Sequence, residues 1–272
     1  MIAVIENANA WNALCKAYPS AGSFFVGHSA RNGQDLSKLC DEPDRIGFAA
    51  IDGDTLTAFS VFRLYRDETM LEMSEWLSQS EAASREMLDC LQARYPAWQA
   101  EFTLRPREYA LAPLLSEFGA TVYTEQQNMQ LAHTPASIDT DGIEPLSEPY
   151  LPAYLALHEN DPEAYWDGET VAARPETFRV FLAIRDGRVV GYLDVTHCYE
   201  TNNIADLYVD EAARRKGYGA KLLAKAIEQN RPHGLTLQVD LDNTAAIRLY
   251  EKMGFETIPD RNSIDAIWNI ND

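Results

Sequence analysis

A repeat of layout constrains this chain more than any other feature of its sequence. Phe48-Ala49-Ala50-Ile51 stands just before Asp52-Gly53, and Phe181-Leu182-Ala183-Ile184 stands just before Asp186-Gly187. Farther on, Leu114-Leu115-Ser116-Glu117-Phe118-Gly119-Ala120 echoes Leu249-Tyr250-Glu251-Lys252-Met253-Gly254-Phe255. The two glycines lie 71 and 73 residues beyond Phe48 and Phe181. Two coincidences at nearly the same spacing describe two copies of a single α/β unit, and 272 residues are enough for each copy to bury its own core. The Thr-Pro-Ala-Ser-rich stretch from His133 to Asp141 reads as the link. It divides the chain into residues 1–135 and 136–272.

The second copy is the easier to read. Phe178 to Ile184 and Val189 to Thr196 are β-rich runs joined through Asp186-Gly187, a dipeptide suited to a tight hairpin. Ile204 to Val209 is a further strand, and Leu222, Leu223, Ala226 and Ile227 mark an amphipathic helix ending near Arg231-Pro232. Leu235 to Leu241 alternates as a strand, Thr244 to Met253 reads as a helix stopped by Gly254, and Ser263 to Ile270 as a closing strand. Pro149 to Glu159 has helical spacing. In the first copy, strands are expected at Met70 to Leu77 and Trp98 to Leu104, with a helix at Glu81 to Ala93 between them.

Charge narrows the function classes. The formal net charge is -19 and both halves share it, which argues against a nucleic-acid partner. Apolar runs are too short to span a bilayer, and the N-terminus has neither a basic start nor a sustained apolar stretch, so no membrane partner and a cytoplasmic location are expected. Cys15, Cys40, Cys90 and Cys198 lie far apart with no Cys-x-x-Cys pair, so no metal site and no disulfide framework are expected. One stretch breaks the acidic field: Arg214 to Lys225 holds five cations and no acid, which points to a local anion site. Conversely, Glu108 to Ala173 has no Lys or Arg, as befits a solvated acidic face or a rim that attracts a cation.

The segment Arg214-Arg215-Lys216-Gly217-Tyr218-Gly219-Ala220 lies between a strand ending at Val209 and a helix starting near Gly219. Glycines there allow a tight turn that aims successive N–H groups at a ligand, and the helix start adds its partial positive charge. It is neither a P-loop nor a dinucleotide fingerprint. The next strand is followed at once by Asn243-Thr244-Ala245-Ala246 and then by Tyr250-Glu251-Lys252-Met253-Gly254-Phe255. Together the two elements resemble the GNAT N-acetyltransferase superfamily, over roughly residues 140 to 270. Arg214, Gly217 and Gly219 meet one of its motifs, and Asn243, Ala246, Tyr250, Glu251, Lys252, Gly254 and Phe255 meet the other.

The resemblance implies an α/β chain of two tandem GNAT-like domains, each a mixed, mostly antiparallel twisted sheet flanked by helices. It implies acetyl-CoA as cosubstrate, its pantetheine held by backbone groups of Leu207, Tyr208 and Val209 and its pyrophosphate by amides from Arg215 to Ala220. Tyr250, a phenol, can protonate the departing thiolate. Asn243 would contact the cofactor arm, or serve only as a helix N-cap. No base is evident: Leu207, Ala205 and Asn203 share the Val209 face by alternation, Asp206 faces away unless a bulge re-aims it, and His197, Glu200 or a water relay are the alternatives. In the first copy Leu115 stands in for Tyr250 and the loop after Leu77 has no glycine, so that copy is expected to be degenerate. The expected activity is acetyl transfer to a primary amine of a small molecule or peptide. A cationic acceptor is expected beside Asp161, Glu163, Tyr165, Trp166, Asp167 and Glu169. The alternative is a non-catalytic acyl-CoA-binding module for regulation or assembly, and a homodimer stays open.

Overall fold

A computed structural model of the chain describes residues 2–5, 44–52, 55–135, 139–159 and 166–270. The first half contributes β1 (Ile2–Ile5), β2 (Arg45–Asp52), β3 (Thr55–Tyr65), β4 (Met70–Ser78), α1 (Glu81–Arg94), β5 (Gln99–Leu104), α2 (Leu111–Glu117), β6 (Thr121–Val122) and β7 (Gln126–Leu131). The second contributes β8 (Ile143–Pro145), α3 (Leu151–His158), α4 (Gly168–Ala172), β9 (Phe178–Arg185), β10 (Arg188–Thr196), β11 (Thr201–Val209) and α5 (Tyr218–Asn230). It ends with β12 (Gly234–Asp240), α6 (Thr244–Lys252), β13 (Phe255–Thr257) and β14 (Ile264–Asn269).

Two seven-stranded sheets result, in the orders β1-β2-β3-β4-β5-β14-β6 and β8-β9-β10-β11-β12-β7-β13. Each is antiparallel except for one parallel pair, β4 with β5 and β11 with β12. Place for place the orders are the same, which is the repeat expressed as topology. The sixth position is exchanged: β7 from the first half sits beside β12, and β14 from the end of the chain sits beside β5. The compact units are accordingly residues 1–125 with 260–272, and residues 126–259. The division expected at 135/136 differs from these units at two segments, because each sheet is completed by a strand encoded in the other half.

Local sequence explains the strands of the second unit. Asp186 and Gly187 both take positive φ, 51° and 74°, which a tight hairpin turn between β9 and β10 demands. Alternation then sorts the side chains. Phe181, Ala183, Leu193 and Val195 pack with Leu222, Leu223 and Ile227 of α5 on one face. Val180, Leu182 and Tyr192 pack with Tyr154 of α3 and Val171 of α4 on the other. The first unit is built around edge-to-face aromatic contacts of Phe62 with Phe48, Trp76 and Phe102, at centroid separations of 6.1, 6.3 and 5.8 Å. There α1 begins three residues after β4 ends, with Ser80 capping it through Ala83 N–H (3.2 Å).

Candidate active site

In the second unit the chain between β11 and α5 is longer. Asp210 caps a single turn over Glu211–Ala213, after which Arg215 and Gly217 both adopt left-handed backbone, φ 61° and 88°. Among the described residues, no N–H from Arg215 to Ala220 donates to a protein acceptor, and the first to do so is Lys221 N–H, to Gly217 O at 3.1 Å. Gly217 is the α5 N-cap and offers no side chain to satisfy the helix start. Six consecutive amides at the positive end of a thirteen-residue helix form an anion cradle.

The cations of this segment are mostly engaged elsewhere, which revises the simple picture of a basic patch. Arg214 donates from Nε to Val209 O (2.9 Å) and lies over the Tyr208 ring. Lys216 reaches Ala212 O (2.6 Å), Lys221 pairs with Asp139 (2.8 Å), and Lys225 with Glu228 (2.9 Å). Tyr218 and Ala220 pack partly against the α5 face of the sheet. The amides, more than the side chains, are what the turn presents.

A gap in the sheet leads away from the cradle. β11 pairs with β12 only from Thr201 to Ile204, yet it stays paired with β10 as far as Val209. From Ala205 to Val209, the stretch holding Leu207, Tyr208 and Val209, β11 has no strand partner on the β12 side among the described residues. Leu207 N–H donates instead to Asp206 Oδ1 (2.7 Å).

Tyr250 lies on α6, whose N-cap Asn243 accepts Ala246 N–H at 3.1 Å, so the capping role of Asn243 is realised. The Tyr250 ring is 7% exposed and packs on Phe255 at 6.1 Å. Its hydroxyl has no hydrogen-bonding partner among the described residues, yet it is not one of the fully enclosed polar atoms, so it retains a path to solvent. Burial, and then the negative charge of Asp206, push its ionisation well above the ordinary phenol range. Such a phenol keeps its proton until something more basic takes it.

The coupling of Tyr250 to Asp206 introduces the part of the site that sequence reasoning missed. Asp206 pairs with Asp194 across β11 and β10, but Ile204 pairs with Val195, so Ala205 is bulged. The bulge turns Ala205 onto the α3 face with Tyr208, while Leu207 and Val209 stay on the α5 face. Ala205 therefore does not share the Val209 face as alternation predicted; Ile204 takes that place. Asp206 joins the α3 side, where the Tyr192 hydroxyl donates to its Oδ2 (2.5 Å). Beside it, Asp194 Oδ2 accepts from Tyr154 (3.0 Å) and meets His158 Nε2 (2.8 Å), with the Asp194 and His158 side chains 1% and 4% exposed. One side-chain nitrogen of His158 and one carboxylate oxygen each of Asp194 and Asp206 all lie within 4.8 Å of one another. One signal of this cluster was present in the sequence: an aspartate in the middle of an otherwise apolar strand.

The other candidates lie elsewhere. His197 Nε2 contacts Pro175 O (2.8 Å) and is half-buried, while Glu200 is exposed. Asp167 caps α4 through Thr170 (2.7 Å), and Trp166 packs on Phe178 beneath Arg174. Asp161, Glu163 and Tyr165 are outside the described residues. Among the described residues no helix is long and apolar enough to cross a membrane.

The second sheet thus parts after its fourth strand, with a turn of unbonded amides between β11 and α5 and a buried phenol on α6. Residues 142–255 match the model of the Acetyltransferase (GNAT) family, and this part of the chain belongs to the GNAT superfamily, whose chemistry is acetyl transfer. A GCN5-related N-acetyltransferase from Sphaerobacter thermophilus has the same fold, with a TM-score of 0.60 at 15% identity, covering 100% of this chain and 96% of that one. An uncharacterized N-acetyltransferase of Methanocaldococcus jannaschii is 26% identical over 147 residues, 48% of this chain and 64% of its own length. A mycothiol acetyltransferase of Amycolatopsis mediterranei is 36% identical over 109 residues, 38% of this chain and 35% of its own. The chain thus spans less than two thirds of the length of either curated relative.

Proposed function

We propose that the second unit transfers an acetyl group from acetyl-CoA to a primary amine of a small molecule or peptide. The observation that carries this reading is the run of unbonded amides from Arg215 to Ala220, with a left-handed Gly217 within it at the start of α5. A diphosphate would satisfy those amides with charge-assisted hydrogen bonds. The unpaired stretch of β11, with backbone groups of Leu207, Tyr208 and Val209, would then receive the pantetheine as an added strand. Leu207 N–H would exchange its bond to Asp206 for one to that arm.

The residues present fit the chemistry. Tyr250 is buried and feels the negative charge of Asp206, both of which discourage its ionisation, so it serves as general acid to the leaving sulfur. The acidic surroundings, with the net charge of -19, favour a cationic acceptor. The first unit has neither a turn of this length after β4 nor a phenol at Leu115, which is fully buried, and it binds no acetyl-CoA in this reading. Its role would be support, with the whole chain acting in the cytoplasm without a metal.

The test is acetyl-CoA turnover, followed by thiol release, against polyamines, aminoglycosides, amino acids and peptides with free N-termini. Wild-type turnover that depends on Tyr250 is expected. CoA binding with no acetylation of any amine would favour a binding module instead.

A further inference from the structure

The buried cluster behind Asp206 is more than a sheet-stabilising network. Register fixes its centre: Asp194 and Asp206 face each other directly across β10 and β11, so two carboxylates share one site. Two carboxylates this close resist being ionised together, and burial pushes Asp194 up from the ordinary carboxylate range. A network that served packing alone would satisfy its polar atoms, as most buried groups do. Here His158 Nδ1 and Asp194 Oδ1 are both enclosed and have no partner among the described residues. The His158 ring is clamped for a purpose that leaves Nδ1 bare: it stacks on Tyr192 at 4.3 Å, and Gly168 of α4 packs so tightly that a Cβ there would lie 3.0 Å from the ring.

The cluster also connects both ends of the proposed reaction. Tyr192 holds Asp206 through its hydroxyl and His158 through its face. Asp206 in turn acts electrostatically on Tyr154 of α3 and on Tyr250 of α6. Asp206 belongs to the part of β11 that has no β12 partner, so it borders the gap in which the acyl group would lie.

We propose that Asp206 takes the proton from the acceptor ammonium, and that the buried His158–Asp194 pair positions Asp206 and shares that proton with it. This rests on the acetyltransferase reading above. The step balances as follows. The ammonium gives one proton to Asp206, the neutral nitrogen forms the C–N bond to the thioester carbon, and the C–S bond breaks with its electron pair on sulfur. Tyr250 gives sulfur a proton and recovers one from the nitrogen through solvent. The proton, shared between Asp206 and the buried pair, returns to solvent from Asp206, which is only half-buried, so amine and thioester become amide, thiol and one released proton. Sharing that proton among interacting sites lets the cluster accept it more readily than a lone exposed carboxylate would. The charged and titratable groups facing the pair are Tyr154 on α3, Tyr192 on β10, Asp206 and Tyr208 on β11, and Asp167 at the start of α4.

The test uses the full chain and two readouts. His158→Gln keeps a donor where Nε2 stands, and Asp206→Asn removes the base. With an amine that wild type acetylates, each should lower kcat/KM about 100-fold near neutral pH. The deficit should shrink as pH rises and neutral amine becomes plentiful, while CoA affinity stays unchanged. Independently, carbon-13 NMR of the Asp194 carboxyl should show its titration moving to lower pH in Asp206→Asn, where a like charge is lost, and to higher pH in His158→Gln. Turnover that falls equally at every pH, or an Asp194 titration indifferent to both changes, overturns the relay and leaves the acetyltransferase reading standing. A divalent ion retained stoichiometrically by the purified chain and lost in Asp206→Asn overturns it in favour of a metal site. Coupled NMR titrations with no amine acetylated overturn the acetyltransferase reading, and with it any catalytic use of the cluster.

Discussion

Trp268 meets Phe118 edge-on at a centroid distance of 5.5 Å, joining two residues 150 positions apart in one core. Trp268 is 1% exposed and sits on β14, paired with Ala100 of β5. Trp268→Ala is therefore expected to destabilise the first unit by about 3–5 kcal/mol, the usual cost of removing a buried tryptophan. Hydrogen exchange checks this: protection should fall in β4 and β5 before it falls in β9 and β10.

Tyr250→Phe keeps the ring and its contact with Phe255 while removing the proton. A drop of about 100-fold or more in kcat is expected, with CoA affinity preserved in calorimetry. A variant that turns over normally would remove Tyr250 from the chemistry.

Gly217 holds φ at 88°, where a side chain costs about 1–2 kcal/mol. Gly217→Ala should thus weaken CoA binding by about tenfold, if relaxation of the turn disperses the amides. Lys225→Ala should leave affinity nearly unchanged, because Lys225 is already tied to Glu228. Titration of both variants with CoA distinguishes an amide cradle from a cationic one.

Glu108, in the first unit, is 4% exposed, and burial followed by the charge of Glu75 raises its carboxyl to about 7 from 4.5, against the opposing bond from Arg105 N–H. The folded state therefore holds this proton more tightly than the unfolded chain. Its stabilising contribution is complete below about pH 4.5 and is lost as pH rises through about 7, on the order of 3 kcal/mol in all. Glu108→Gln should flatten that part of the stability curve. Urea unfolding of both proteins from pH 5 to pH 8 measures it.

Residues close in sequence made much of this legible. Asp186-Gly187 specified a hairpin because only certain residues tolerate its dihedrals, and the Arg215–Ala220 turn announced itself because its unbonded amides are consecutive in one short segment. The helix with Asn243 and Tyr250 was readable for the same reason. The base was not, since Asp206 acquires meaning only when a bulge at Ala205 and the register of β10 set it against Asp194, and when α3 lays His158 on top.

The sequence by itself determined the kind of unit, its duplication, the glycine-bearing turn before α5 and the position of the candidate phenol, all of which rest on local spacing and backbone preference. Tertiary structure alone decided which half supplies the sixth strand of each sheet. An alternating segment such as Ile264–Asn269 can satisfy an open sheet edge wherever the register matches, so its own residues do not say which edge that is. The same holds for the buried His158–Asp194–Asp206 cluster: side chains from one helix and two strands become one chemical group only after the core has brought them within hydrogen-bonding and electrostatic reach.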